Sequence, residues 1–212
     1  MQKNKTIFNL LLIGIVQKMG TANAESHSYI NQNRQTGTTY VMVQQSLEGE
    51  NGQYYKGTEN TSMGGNAGTT NRWTGYNLGT GIGLEAMRFF QLSLVHHFIN
   101  LHDRDDSNEK LTGSRVNLGL KVIFQSPFVN LELGNGLVAS RMDYQKLTAT
   151  GTYLGSGSFY SLGLNYFTSS KISLHLESKW SREHANKDRG SSPVNTIDSE
   201  SKLMGIGARI WI

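Results

Sequence analysis

The sequence predicts an all-β fold, an eight-stranded antiparallel up-and-down transmembrane β-barrel, on three observations. Apolar and polar residues alternate with a period of two in eight separate stretches, as they do in strands with one apolar and one polar face. The connections between these stretches alternate between long polar segments and short turns. Beyond the N-terminus, no run approaches the roughly 18 apolar residues that mark a spanning helix, so a membrane crossing falls to strands.

The chain of 212 residues opens on a basic head, Met1-Gln2-Lys3-Asn4-Lys5. An apolar run from Ile7 to Val16 follows, then the small-x-small site Ala22-Asn23-Ala24. This is the layout of a secretory signal peptide. The expected organisation is a signal peptide at 1–24 cleaved after Ala24, a polar tail at 25–37 and a barrel at 38–212. Residues 1–24 hold Lys3, Lys5 and Lys18 and no acidic residue, so cleavage lowers the formal charge from +4 to +1. The basicity is then a targeting feature and gives no support to a nucleic-acid partner. With no cysteine in the sequence, stability cannot come from disulfides. A closed barrel supplies it by pairing every strand edge.

The first predicted strand runs over Thr38–Leu47, where Val41 and Val43 compete with Tyr40 and Met42 for the apolar face. Glu48–Asn71 reads as a long Gly/Asn/Thr-rich loop. The second strand, Arg72–Leu84, sets Tyr76, Leu78, Ile82 and Leu84 against Gly75, Asn77, Gly79, Gly81 and Gly83. Glycines on alternate positions suit a face turned into a narrow interior. In the third, Phe90–Leu101, Phe90, Leu92, Leu94 and Phe98 oppose Gln91, Ser93 and His97, with His96 a misfit on the apolar side.

The clearest pair is Arg115–Ser140. Val116, Leu118, Leu120, Val122 and Phe124 alternate with Arg115, Asn117, Gly119, Lys121 and Ile123. After Ser126-Pro127 the pattern resumes with Leu131, Leu133 and Leu137 against Asn130, Glu132, Gly134 and Gly136. A tight turn there predicts a hairpin pairing Phe124 with Val129, Leu120 with Leu133 and Lys121 with Glu132. Exchanging Lys121 and Glu132 should then be tolerated better than reversing either charge. Ordinary strands have about 5–6 residues, whereas a strand tilted across a bilayer needs about 9–11, and these stretches match the latter.

A polar loop from Arg141 to about Thr150 leads to a sixth strand near Thr152–Phe167. There Tyr160, Leu162, Leu164 and Tyr166 oppose Phe159, Ser161, Gly163 and Asn165. In the seventh, Ile172, Leu174, Leu176 and Trp180 oppose Ser173, His175, Glu177 and Lys179. His184–Ser201 reads as a long polar loop. The last strand sets Met204, Ile206, Ala208, Ile210 and Ile212 against Gly205, Gly207 and Arg209.

Short turns at one end and long loops at the other form the asymmetry of an outer-membrane barrel, with the long loops outside the cell. Aromatics fall where interface girdles belong. Phe90, Phe124, Phe128, Tyr166 and Trp211 lie near the short turns. Trp73, Tyr76, Phe98, Tyr153 and Trp180 lie near the long loops. A soluble β-sandwich is the competing fold, and it leaves the alternate glycines unexplained. With its signal peptide, eight alternating strands and short-turn/long-loop order, the chain resembles the small eight-stranded outer-membrane barrels, the OmpA-domain and OmpX-like group. That resemblance implies an integral protein of the Gram-negative outer membrane, surrounded by lipid and lipopolysaccharide.

By parity the lumen receives His97, Arg115, Lys121, Glu132, His175, Glu177, Lys179 and Arg209, a candidate polar network. Buried charges persist when paired, so its first role is structural, and a narrow ion channel is the alternative. Ser173-x-His175-x-Glu177 raises a membrane-embedded hydrolase acting on lipid or peptide, but successive same-face residues on a strand stand about 6.8 Å apart, too far for a relay. Tyr54, Tyr55 and Lys56 in the first loop, and Asp103, Asp105 and Asp106 in the third connection, are candidate contacts for an extracellular protein or glycan. The expected function is structural or surface-interactive, through the long loops. No cofactor and no metal ligand set is expected.

Overall fold

The computed structural model describes residues 39–58, 69–87, 89–126 and 129–212; the expected signal peptide, the polar tail and the Pro127-Phe128 turn lie outside them. Eight strands follow in order: β1 (Tyr40–Thr58), β2 (Thr69–Ala86), β3 (Phe90–Asp103), β4 (Glu109–Phe124), β5 (Asn130–Lys146), β6 (Ala149–Phe167), β7 (Ile172–Gly190) and β8 (Val194–Trp211). Each pairs antiparallel with its sequence neighbour, and β8 returns to β1 to close the barrel.

Closure carries a stagger. From Asn51, the register runs through Lys202, Trp180, Tyr160, Asn135, Leu120, Leu92 and Leu84, and it re-enters β1 at Val41, ten residues from its start. For eight strands this corresponds to a tilt of about 40°, so two residues along a strand gain about 5 Å of height.

At the end where β1 begins and β8 ends, the aliphatic side chains point outward. Val41, Leu84, Leu92, Leu120, Leu133, Leu162, Leu176 and Ile206 are all more than a third exposed. They belong to a belt about 25 Å tall, the height of a barrel's lipid face, crossed on β1, β2 and β3 by the polar rung Gln45, Thr80 and His96. Val41 and Val43 are outward and Met42 is fully buried, which settles the facing of β1.

Toward the far end the pattern inverts. Outward positions become Asn51, Arg72, Asn100, Lys110, Arg141, Arg182 and Glu200. Inward positions become Tyr54, Trp73, Ile99, Leu101, Leu111, Met142, Tyr144 and Tyr153, which form one buried apolar cluster. The far portion of the barrel is therefore built like a soluble protein, with an apolar core and a polar exterior.

This inversion corrects several expectations. Much of the polar sequence read as loop is strand: Glu48–Thr58 completes β1, Arg141–Lys146 completes β5, and His184–Gly190 and Val194–Ser201 belong to β7 and β8. Two residues join β5 to β6, and three join β7 to β8. Polar outward residues still pair there, because closure gives each strand a neighbour on both sides. Trp73, Tyr153 and Trp211 are inward and buried, so the outward girdle rests on Phe90 and Phe124 at one edge and Tyr76, Phe98 and Trp180 at the other. The β4–β5 register is also shifted by two residues from that expected: Phe124 pairs with Leu131, Lys121 with Gly134 and Glu132 with Ile123. The turn is wider than a two-residue loop, held on one side by Ser126, whose Oγ donates to the Val129 carbonyl at 2.6 Å.

Candidate functional site

The lumen is filled in layers. At its floor, where β1 begins, Met42, Phe167 and Trp211 are buried together with Tyr40 packed against them, alongside buried Glu85, Gln91, Asn130 and Ser173. The Phe167 and Trp211 ring centroids lie 5.6 Å apart, and the Trp211 indole donates to Ser173 Oγ at 2.8 Å.

Above the floor runs a chain of alternating charges. The Arg209 guanidinium grips both Glu132 oxygens, one of them at 2.9 Å. Lys121 lies 3.3 Å from Glu132 and 2.5 Å from Glu177. Lys179 lies 3.4 Å from Glu177 and pairs with Glu48. His97 Nδ1 ends the chain at 3.6 Å from Glu48. All of these side chains are buried. The network needs glycines opposite it. A Cβ on Gly79 would stand 2.9 Å from the His97 ring, and one on Gly207 would stand 2.2 Å from the His175 ring. The Lys121–Glu132 pair therefore forms diagonally across the hairpin, despite the shifted register.

A second charged layer follows. Arg115 donates to both oxygens of Glu50, at 3.0 and 3.3 Å, and its Nε lies 2.7 Å from Glu183. Asn77 and the Tyr54 hydroxyl also donate to Glu50, at 2.7 and 2.9 Å. The apolar cluster sits over this layer. At the far mouth Lys56 binds Glu109 at 2.5 Å, Lys146 binds the same carboxylate, and Asn71 binds Asp103.

The sequence candidates divide accordingly. His97, Arg115, Lys121, Glu132, His175, Glu177, Lys179 and Arg209 are all placed inside the barrel. Tyr54, Tyr55 and Lys56 are not in a loop: they lie on β1, with Tyr54 and Lys56 buried and Tyr55 exposed. Asp103 ends β3, buried, and its Oδ1 accepts the backbone N–H of Asp105 at 2.8 Å. Asp105 is exposed and Asp106 half-buried. The Asn108 N–H binds Asp106 Oδ1 at 3.0 Å and holds its carboxyl below the usual range. The carboxylates of Asp103 and Asp106 thus brace a turn. Among the described residues no group of three or more His, Asp or Glu could hold a metal.

This arrangement limits the chemistry. Ser173 Oγ is engaged by Trp211, and Glu177 is held between two lysines, so neither serves His175 as a relay partner. Paired charges and two apolar clusters occupy the lumen. Parity places Ile99, Leu101 and Leu111 on the lumen side with His97 and Arg115, but a lumen read as polar gives no reason to expect an apolar layer there.

An aliphatic belt outside, paired charges inside and full strand closure define a transmembrane β-barrel. Solved structures share this fold. The outer membrane protein OprG of Pseudomonas aeruginosa is similar at 10% identity and TM-score 0.56, over 84% of this chain and 97% of that one. The outer membrane protein AlkL, solved in DMPC bilayers, is similar at 10% identity and TM-score 0.53, over 85% and 93%. Neisserial surface protein A is similar at 11% identity and TM-score 0.50, over 81% and 96%. No protein-family model matches the chain, and no curated protein does. The chain has the fold of the small eight-stranded outer-membrane barrels.

Proposed function

We propose that the protein is an integral barrel of the Gram-negative outer membrane whose role is structural and surface-interactive. The observation that carries this reading is the filled lumen, in which chains of paired charges run between two apolar clusters. Such an interior supports rigidity rather than passage of a solute. The working surface is then the outside of the far portion, where polar strand ends project beyond the belt. It is the place for contact with lipopolysaccharide, or with an extracellular protein or glycan.

The absence of cysteine from the sequence makes the orientation testable. Leu147 sits at the β5–β6 turn and is 69% exposed, and Lys171 is exposed at the opposite end. A membrane-impermeant maleimide on intact cells should label Leu147→Cys and spare Lys171→Cys. Labelling of Lys171→Cys alone would invert the barrel. Labelling of both only after lysis, with the protein in a soluble fraction, would remove it from the outer membrane.

A further inference from the structure

We propose that the outer face of β6, β7, β8, β1 and β2, immediately beyond the aliphatic belt, binds the phosphate groups of an outer-leaflet glycolipid headgroup. The inference rests on the outer-membrane reading above and gives its working surface a ligand.

A groove of about 630 Å³ opens there. Four cations line it, Arg72, Arg104, Arg182 and Lys202, and Glu200 is the single carboxylate among its described lining residues. The register explains the convergence. Lys202, Trp180 and Tyr160 occupy one rung on β8, β7 and β6. The next outward rung carries Arg72, Gln53, Glu200, Arg182 and Ser158. Two residues along a tilted strand are about 5 Å of height. Lys202 therefore shares the rung of Trp180 and Tyr160, whose amphipathic rings mark the headgroup boundary, Arg182 stands one outward position above it, and Arg72 and Arg104 lie farther out.

The chemistry fits a phosphorylated headgroup. Guanidinium forks bind phosphate bidentately, and lysine adds a compact charge. Arg182 is oriented by Glu200 at 2.9 Å, and Lys202 lies over the Trp180 ring, 5.6 Å from its centroid. Four cations against one acid leave an excess that complements a doubly phosphorylated sugar. The opposite wall carries a smaller excess. Over the same span β3, β4 and β5 present Asn100, Lys110, Thr112, Ser114, Arg141 and Asp143, two cations and one acid.

The test uses the full barrel in zwitterionic micelles, with lipid retention read by native mass spectrometry. The probes are diphosphorylated lipid A, its dephosphorylated form and phosphatidylglycerol, each with and without inorganic phosphate. Wild type should retain diphosphorylated lipid A at least tenfold better than the other two. Arg182→Gln with Lys202→Gln should lose that preference, and Arg141→Gln should keep it. Heat-dependent gel mobility shows which variants are folded; if the first pair fails to close, Arg72→Gln with Arg104→Gln replaces it. A preference that survives in a folded double variant overturns the site. Phosphatidylglycerol binding as tightly reassigns it to any anionic lipid, and full displacement by millimolar phosphate reassigns it to the free anion; either overturns the glycolipid. Failure of the outer-membrane reading would show separately, in the maleimide labelling.

Discussion

Glu132→Gln tests whether the lumen charges act as a unit. The substitution keeps the side-chain shape and removes the carboxylate that Arg209 grips with both nitrogens. Arg209 is 0% exposed, so its charge has no water to turn to. Lys121 is less affected, because Glu177 remains 2.5 Å away. Breaking a buried pair from one side costs about 3–5 kcal/mol, and the amide oxygen of Gln retains one acceptor, which points to about 3. With a urea slope of about 2 kcal/mol per molar, the midpoint falls by about 1.5 M. The assay is urea unfolding of the refolded barrel in vesicles, followed by tryptophan fluorescence and gel mobility. Asp198→Asn is the control, since its partner His184 is exposed and the pair stays within about 1 kcal/mol. Removing both charges with Arg209→Met should recover much of the loss. If Glu132→Gln costs no more than Asp198→Asn, the interior is wet and the network reasoning fails.

The same network reverses the expectation for an exchange of Lys121 and Glu132. Glutamate at 121 would face Glu177, and lysine at 132 would face Arg209, so the exchange should destabilise at least as much as either single reversal; recovery to wild-type stability would refute the shared network. A Cβ on Gly79 would lie 2.4 Å from Ser46 Oγ, so Gly79→Ala should cost about 1–3 kcal/mol; Ser46→Gly should return part of it in a double-mutant cycle, and strict additivity would count against the contact. Planar bilayers holding the protein should stay silent, with or without Lys121→Ala, and discrete conductance steps in the wild type would show that the filled lumen does not seal. In the β3–β4 turn, the depressed Asp106 carboxyl contributes stability that is present above about pH 4 and lost as pH falls through its lower folded value. The Asn108 amide resonance should therefore titrate with a midpoint below that of an unperturbed aspartate, and a midpoint at or above it would refute the bond.

What the sequence discloses depends on which solvent a residue faces. Leu118, Leu120 and Val122 face lipid while Asn117, Gly119 and Lys121 face the lumen, so β4 declares both its strand and its facing. Facing, however, says nothing of register: a shift of two preserves every face, and only the unrecognised width of the turn after Phe124 distinguishes Gly134 from Glu132 as the partner of Lys121. Beyond the belt even the element type is hidden. Arg141-Met142-Asp143-Tyr144-Gln145 alternates as regularly as any lipid-facing strand, but its apolar members point inward, so a reading keyed to outward hydrocarbon takes it for loop. The turn that follows gives no help, because Leu147 adopts a left-handed φ of 51° without glycine or asparagine. The groove proposed for a headgroup was illegible for the same reason. Arg72, Arg104, Arg182 and Lys202 are scattered over more than a hundred residues, and only barrel closure brings them to one groove with Trp180 and Tyr160. The polarity inversion is thus the structural mark of the membrane boundary. It follows that truncating the far strand ends should expose the layer of Tyr54, Trp73 and Leu101 to water, and should not merely trim a surface loop.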